Sequence, residues 1–510
     1  MLKFRPLIGT LAAIAVFALP QANASAQGVT TGGLTGVITD SAGKPIDAAQ
    51  IQIRNAATGA NIGTQARGSG LYVIQGIEPN TNYIVTVRAL GYRPISRDGI
   101  TITLNQVRRE DFVMGKAVAQ LAEISVTASA IDYVINASKT GTSSVISDSA
   151  LRRMPTLNRN FADFVASVPQ VSTTTGFLSG GGVNLRQNTI QIDGANATDL
   201  FGLGTTGQSG SSSNAKSIPL DAVKEYQVLL SPFDVRQGSF GGLLINAVTK
   251  AGTNTFHGSV FGYHRSQDLT RKQPYLTDFS QQQFGGSLGG PIIKDKLFFF
   301  ASYEQQQLKT PASGTYFGAT SPIAPYVTQA QVDQLSQILS SKYGINDIGN
   351  GDRVQKENPL RNLFVRVDAN LPWNTRMVLR DNYAKADNQS FGRGLPSAAT
   401  PNFTLTSNSY LISNKTNSAV IELLTNLKNG IYNEFLANYS TTKDFRTVPV
   451  NFPQLTIRGI TRSDTTGTAN FVVGTESSSQ GNSLNQRTIE LTDNITIPIS
   501  THSITIGGTM

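Results

Sequence analysis

The chain has no cysteine among its 510 residues and only three histidines. Without cysteine there is no disulfide framework, no thiolate metal site and no cysteine nucleophile. None of the histidines begins an H-x-x-E or H-E-x-x-H motif, which argues against a zinc peptidase. No run of about 18 or more apolar residues follows the first 26 residues, which argues against helical membrane spans. We therefore expect no catalytic residue, no metal ligand and no cofactor.

The first 26 residues have the composition of an export signal. Lys3 and Arg5 precede an apolar run from Leu7 to Leu19, and the small residues Ala24 and Ala26 suit a signal peptidase. Residues 1–26 are therefore predicted to be a cleaved signal peptide, with an uncleaved anchor as the alternative. The formal net charge of +9 comes from scattered basic residues, so we expect no nucleic-acid partner.

Residues 27–116 alternate short strands with turns and predict a small β-sandwich. Ile51 and Ile53 alternate with polar neighbours, as do Tyr83, Val85 and Val87. The runs Gly36-Val37-Ile38-Thr39-Asp40, Gly43-Lys44-Pro45 and Gly70-Leu71-Tyr72 resemble the carboxypeptidase regulatory-like domain, which belongs to a carbohydrate-binding-like fold group. This resemblance implies a structural or docking module, with sugar binding as the alternative.

From Thr255 onward the sequence changes to long, half-apolar strands. Tight connections, such as 291–295 and 372–374, alternate with long polar ones, such as 307–359 and 444–484. This asymmetry is typical of an outer-membrane barrel, and Leu363, Val365 and Val367 share one strand face while Phe364 and Arg366 share the other. Nine strands are predicted, near residues 255–265, 282–290, 296–306, 360–371, 375–385, 416–427, 431–443, 485–497 and from 503 onward.

The long connection 307–359 is predicted to contain a helix. Thr328 and Gln331 have the spacing of a capping box, Val332 and Leu335 fall on one face, and Gly344 can end the helix. We expect this helix to lie outside the cell, over the barrel mouth.

Several motifs around the start of the barrel resemble the TonB-dependent outer-membrane receptors, and their Oar-like branch in particular. They are Gly242 to Lys250 followed by Gly252-Thr253-Asn254, then Phe284 to Pro291, then Lys294 to Phe300. The resemblance implies a multidomain, mainly β protein of the Gram-negative outer membrane: a β-sandwich, an α+β plug over 138–252 and an antiparallel transmembrane β-barrel over 253–510. Because plugged barrels have about 22 strands, nine strands cannot enclose such a plug and the barrel is expected to be incomplete.

The resemblance also implies a substrate-facing surface on the plug. Where the family usually has Arg-Gly, this chain has Arg186-Gln187, so the turn there needs another solution. The G-x-G-x-x-G pattern at Gly202, Gly204 and Gly207 leads into a serine-rich stretch rather than a helix, which favours a plug loop over a dinucleotide site. The candidate substrate-facing residues are Arg186, Asp199, Phe201 and Gln208.

The linker 117–137 contains a short β-prone peptide, Glu123-Ile124-Ser125-Val126-Thr127-Ala128. It looks like a TonB box, the extended segment by which such receptors engage the inner-membrane TonB complex, and it contains no proline that would prevent strand pairing. The alternative is that it forms the last strand of the sandwich.

These features predict a receptor that is not an enzyme. It would bind an extracellular substrate, whether iron chelate, glycan, peptide or protein, and import it into the periplasm by TonB-driven plug movement. The alternative is an outer-membrane adhesion or assembly scaffold whose barrel is not energised.

Overall fold

The computed structural model describes residues 30–116, 124–127, 143–173, 177–201, 203–230, 234–238, 240–271, 278–321, 323–399, 401–427, 430–499 and 502–510. The predicted signal peptide lies outside these residues, as does most of the linker. In the described part, no helix combines the length and apolar character needed to cross a membrane.

The N-terminal domain is a β-sandwich. One sheet has the order β4-β1-β7, with β8 also pairing with β1, and the other has the order β3-β2-β5-β6-β9. The predicted inward residues Ile51, Ile53, Val85 and Val87 are buried between them, as expected from their alternation. The strands are β1 (Gly32–Asp40), β2 (Gln50–Asn55), β3 (Asn61–Gln65), β4 (Leu71–Ile77), β5 (Asn80–Arg88), β6 (Ile95–Ile102), β7 (Val107–Arg109), β8 (Phe112–Met114) and β9 (Ile124–Thr127).

The following α+β unit has the composition expected of the plug. Its five-stranded sheet has the order β10-β15-β16-β13-β14, and β16 is buried along its whole length, as its β-branched sequence predicts. Two short helices pack on this sheet, each begun by a side-chain cap from Ser147 or Asn160. The elements are β10 (Ser143–Ser147), α1 (Asp148–Arg153), α2 (Phe161–Val165), β11 (Val171–Ser172), β12 (Ser179–Gly180), β13 (Thr189–Ile192), β14 (Ala195–Asn196), β15 (Val223–Leu229) and β16 (Leu244–Thr249), with 3-10 helices at Leu185–Gln187, Ser211–Ser213 and Leu220–Ala222.

All nine predicted barrel strands are present in one antiparallel sheet, with the order β17-β18-β19-β20-β21-β23-β24-β27-β28. One face of this sheet packs on the plug, because its residues Phe300 and Phe364 are part of the same hydrophobic core as plug residues. The elements from here on are β17 (His257–Ser266), β18 (Ser280–Ile293), β19 (Leu297–Pro311), α3 (Gln329–Tyr343), β20 (Gln355–Leu371), β21 (Thr375–Ser390), β22 (Asn402–Thr404), β23 (Tyr410–Asn426), β24 (Tyr432–Thr447), β25 (Leu455–Thr461), β26 (Thr468–Val473), β27 (Ser483–Ile499) and β28 (His502–Thr509), with 3-10 helices at Gln267–Leu269 and Thr406–Asn408.

The two faces of β20 are those predicted from its alternation. Leu363 and Val365 are 42% and 37% exposed on the outer face, whereas Phe364 and Arg366 are 0% and 5% exposed against the plug. Trp373 lies in the tight turn after this strand and is exposed, as its sequence position indicated. On β20, the charged Arg366 therefore faces inward together with Phe364, and the aliphatic Leu363 and Val365 face outward.

Three long connections of the sheet fold together into a small unit, here called the loop subdomain. Residues 312–354 supply α3, which starts with the predicted Thr328 capping box and ends at Gly344. Residues 391–409 and 448–482 supply the sheet β22-β26-β25. Helix and sheet share a core that the sequence reasoning did not anticipate, formed by Tyr326, Val327, Val332, Leu335, Leu339, Ile348, Phe403, Leu405, Ala469, Phe471 and Val473.

Candidate functional site

The predicted coupling segment forms an edge strand. Ile124–Thr127 is strand β9, which pairs in parallel with β6 in the register Ile95↔Ile124 to Asp98↔Thr127. Glu123 and Ala128, the outer residues of the predicted TonB box, lie outside the described residues. The segment is therefore a strand, as a strand-adding peptide requires, and it also completes the sandwich sheet.

The serine-rich loop of the plug lies at the end of the sheet that carries the long connections. Asn358 of β20 and Asn388 of β21 lie near this end of the sheet and contact the loop. Asn358 Nδ2 donates to Ser213 O at 3.0 Å, and Asn388 Nδ2 donates to Ser212 O at 3.4 Å. The loop is a series of turns around Ser211–Ser213, which fits the prediction of a plug loop.

Arg186 is exposed on a single 3-10 turn that replaces the usual Arg-Gly turn. The side chain of Asn184 starts this turn by accepting from Arg186 N at 3.0 Å. The carbonyl of Gln187 then accepts from the backbone N–H groups of Gly241 and Gly242, at 2.9 and 3.0 Å. Glutamine is therefore accommodated because the adjacent loop supplies the glycines, and the Arg186 side chain is exposed.

The other three substrate-facing candidates divide into two kinds. Phe201 is 50% exposed. Asp199 is buried, and its carboxylate accepts from the backbone N–H groups of Phe201 and Leu203 at 3.0 and 2.6 Å. Gln208 is 1% exposed, donates to Ala215 O and accepts from Ser217. Asp199 and Gln208 are thus buried and hydrogen-bonded within the plug.

Phe201 is accompanied by exposed apolar side chains that were not predicted from the sequence. We call the part of the plug that carries these residues the apex. Leu200, Phe201 and Leu203 are each at least 50% exposed, and Phe177 is 45% exposed. Large exposed apolar side chains that are grouped in this way mark binding surfaces in soluble domains. These four side chains give the apex an exposed apolar surface.

One buried carboxylate on the sheet holds two cations of the plug. Glu304 of β19 is fully buried and lies 2.5 Å from Lys216 Nζ and 3.5 Å from Arg159 Nε. Arg159 also pairs with Asp221 and lies over the Phe261 ring, 3.9 Å from its centroid. Burial lowers the pKa of Lys216, although the Glu304 carboxylate opposes that shift. Glu304, Lys216 and Arg159, here called the Glu304 cluster, therefore hold the plug against the nine-stranded sheet, here called the wall.

A second charged contact joins the end of the plug to β20 and β21. Asp193 accepts from Thr249 N and Thr249 Oγ1, at 2.8 and 2.7 Å. Arg366 Nη1 donates to Thr249 Oγ1 at 2.7 Å, and Arg380 Nε lies 3.4 Å from Asp193 Oδ2. The only signal for these contacts in the sequence is weak, namely charged residues at inward positions of strands that also carry apolar residues.

The N-terminal domain docks at the end of the sheet that carries the tight turns. Glu78 pairs with Arg376 of β21 at 2.8 Å, and Lys224 of the plug donates to the carbonyl of Pro79. Burial tends to raise the pKa of Glu78, but the positive charges of Arg376, Lys224 and Arg366 together outweigh it and the pKa is lowered. Thr30 Oγ1 donates to Glu422 Oε1 at 2.8 Å. The domain thus contacts both the plug and the sheet.

The described residues contain no group of histidine, aspartate or glutamate side chains that could hold a metal ion. The plug is held against the nine-stranded sheet by contacts that include ion pairs. It has an exposed apex, and the N-terminal domain carries an edge strand, β9.

Two family models match the sequence. The one described as an outer membrane beta barrel domain covers residues 248–326, and the one described as a carboxypeptidase regulatory-like domain covers residues 33–115. The chain is 27% identical over 261 residues to the TonB-dependent transporter Oar of Myxococcus xanthus, and 31% identical over 169 residues to the probable TonB-dependent siderophore receptor PirA of Acinetobacter baumannii. These matches cover 47% and 31% of this chain but only 23% and 22% of the relatives, so the chain matches less than a quarter of their length.

Two of the solved structures that align with the chain are named as an outer membrane transporter and a siderophore receptor. The outer membrane transporter YddB of Escherichia coli aligns at 15% identity and a TM-score of 0.48, over 71% of this chain and 46% of its own. The siderophore receptor PirA of Acinetobacter baumannii aligns at 17% identity and a TM-score of 0.46, over 72% and 48%. By its sequence matches, the chain is a relative of the TonB-dependent outer-membrane receptors and a protein of the Gram-negative outer membrane, with a carboxypeptidase regulatory-like domain ahead of its barrel strands.

Proposed function

We propose that this protein imports an extracellular substrate into the periplasm by plug movement that the TonB complex drives. The substrate binds the apex of the plug and the loop subdomain. Iron chelates, glycans, peptides and proteins are the candidate classes, and growth of a deletion strain on defined sources of each identifies the class. One relative is named as a siderophore receptor, so a ferric siderophore is the first substrate to test.

The observation that carries this proposal is the set of polar contacts between plug and wall, which lie beside the apolar contacts made by Phe300 and Phe364. Asn362 and Asn382 of the wall donate to plug carbonyl groups, and Glu490 accepts from the backbone N–H of Asn196. The Glu304 cluster adds ion pairs. Water can replace hydrogen bonds and ion pairs when the surfaces part, so their net contribution is about 1 kcal/mol each. The polar contacts between plug and wall can therefore open under force. Separating apolar side chains costs more, because the free energy rises with the apolar area that becomes exposed to water.

A reversible crosslink tests whether the plug must move. Asn214 Nδ2 of the plug lies 3.3 Å from Asn358 Oδ1 of the wall. Because the chain has no cysteine, the pair Asn214→Cys and Asn358→Cys provides the only two thiols. A short thiol-specific crosslinker should leave surface binding of the substrate unchanged and abolish its accumulation in the cell. Cleavage of the crosslink should restore uptake.

The matched control joins two strands of the wall. Thr375 and Thr425 are neighbours in register with Oγ1 atoms 3.2 Å apart, so Thr375→Cys with Thr425→Cys takes the same crosslinker without tethering the plug. Uptake should continue in this variant. Wild-type accumulation with the plug tethered would contradict import by plug movement. If removal of TonB also changed nothing, the adhesion or assembly scaffold would replace the importer.

A further inference from the structure

Strand β9 occupies the end of its sheet, and this position has a consequence for the coupling partner. The sheet order β3-β2-β5-β6-β9 leaves β9 with β6 on one side, and no described strand pairs with its other side. Successive backbone N–H groups of a strand point to opposite edges. Pairing with β6 therefore leaves the outward N–H and C=O groups of Ile124–Thr127 available to another strand.

A free edge of this kind is a ready template for an incoming chain. A four-residue peptide that is unstructured before binding loses backbone conformational entropy when it is ordered, which weakens its binding. Pairing with β6 fixes the segment in an extended conformation beforehand, so the incoming strand meets an ordered partner. Ser125 and Thr127 also lie beside Ser96 and Asp98 of a folded domain that is docked on the sheet through Glu78.

We propose that the N-terminal domain presents the coupling segment to TonB as an edge strand, and that a strand of TonB adds to the free side of β9 while β6 stays paired. The carboxypeptidase regulatory-like domain is then part of the TonB docking surface. This inference rests on the proposed function, because it takes TonB as the partner.

A disulfide lock tests the pairing and its consequence separately. Ser96 and Ser125 are direct neighbours in the parallel register, so Ser96→Cys with Ser125→Cys should form an intramolecular disulfide on mild oxidation. The pair Ser96→Cys with Val126→Cys is the control, because Val126 is the register partner of Arg97 and is therefore one residue out of register with Ser96. The full chain should form the first disulfide and not the second.

The oxidised and reduced forms are then titrated with the purified periplasmic part of TonB. We expect the locked form to bind with an affinity within about threefold of the reduced form or tighter, since the lock preserves the edge that TonB uses. Failure of the in-register disulfide to form, or loss of TonB binding on oxidation that reduction restores, would overturn the inference and leave the proposed function intact. Absence of TonB binding to every form, including the wild type, would overturn both.

Hydrogen exchange of the wild-type chain provides a second measurement that needs no substitution. Without TonB, the amides of β9 that point to β6 should be protected and the alternate ones should exchange freely. Addition of TonB should protect the alternate amides and leave the first set protected. Loss of protection in the first set would show that TonB displaces β6, which contradicts the proposal.

Discussion

Arg376 and Glu78 form the ion pair that joins the sheet to the N-terminal domain, with Arg376 Nη1 2.8 Å from Glu78 Oε2. The same guanidinium holds Asp368 of the neighbouring strand at 2.7 Å. Arg376 therefore bridges two carboxylates, one on the sheet and one on the domain docked against it. Docking depends on a charge that belongs to the barrel wall.

Glu78→Gln should weaken docking of the N-terminal domain by about 2 kcal/mol, because a charge-assisted hydrogen bond becomes a neutral one. Limited proteolysis within residues 117–137 should release the domain faster from this variant than from the wild type. Asp111→Asn is the control, since Asp111 pairs with Arg109 on the exposed surface of the same domain. Equal release from both variants would show that Glu78 does not hold the domain.

Docking should also depend on pH. Arg376 lowers the pKa of Glu78 in the docked state below its ordinary value of 4.5. A carboxylate with a lowered pKa contributes its stabilisation fully above the ordinary value and loses it as the pH falls through the lowered one. Release of the domain should thus accelerate below about pH 4.5 in the wild type. The Glu78→Gln variant should lack this part of the pH dependence.

Glu304→Gln should loosen the plug by about 3 kcal/mol, because it leaves Lys216 and Arg159 without their shared buried counter-ion. Hydrogen exchange of β16, the buried central strand of the plug, measures this opening. Adding Lys216→Gln to Glu304→Gln should recover part of the loss. Glu357→Gln on the same sheet should cost less than about 1 kcal/mol, since Glu357 pairs with Lys309 on an exposed surface. Similar effects of Glu304→Gln and Glu357→Gln would rule out the cluster as a fastening.

Val365→Arg should make folding into a bilayer less favourable by about 2–4 kcal/mol, because Val365 is on the outward face near the middle of β20. Leu371→Arg is the matched control on the same face, at the end of the strand, where the cost should be about 0–1 kcal/mol. Folding of the full-length protein into lipid vesicles gives both values. Equal costs would mean that the outward face has been placed at the wrong depth.

Val126→Pro should abolish uptake while surface binding of substrate and the amount of protein in the outer membrane stay normal. Proline removes a backbone donor and fixes φ, so it prevents strand addition at β9. Ser125→Ala should have a mild effect, since the affinity of strand addition comes mainly from the backbone. Uptake at the wild-type rate by Val126→Pro cells would show that this segment is not the TonB box.

The sequence predicted the wall better than the contacts between its parts. Alternation along 360–371 assigned both faces of β20. Aliphatic residues such as Leu363 and Val365 occupy one face, and the charged Arg366 lies on the other. By contrast, Asp199 and Gln208 are polar residues in a loop, and the sequence does not reveal that backbone groups of the same loop occupy them. The Glu304 cluster joins residues 145 and 88 positions apart, a separation that no local pattern records.

The loop subdomain has a consequence for recognition by antibodies. Its core takes Tyr326 from one long connection, Phe403 from the second and Phe471 from the third, with the Phe403 ring within 5.7 and 6.1 Å of the other two centroids. The surface over this core is therefore a discontinuous epitope that exists only when all three segments are folded together. Serum raised against the intact protein should bind it, and serum raised against a linear peptide from any one segment should not.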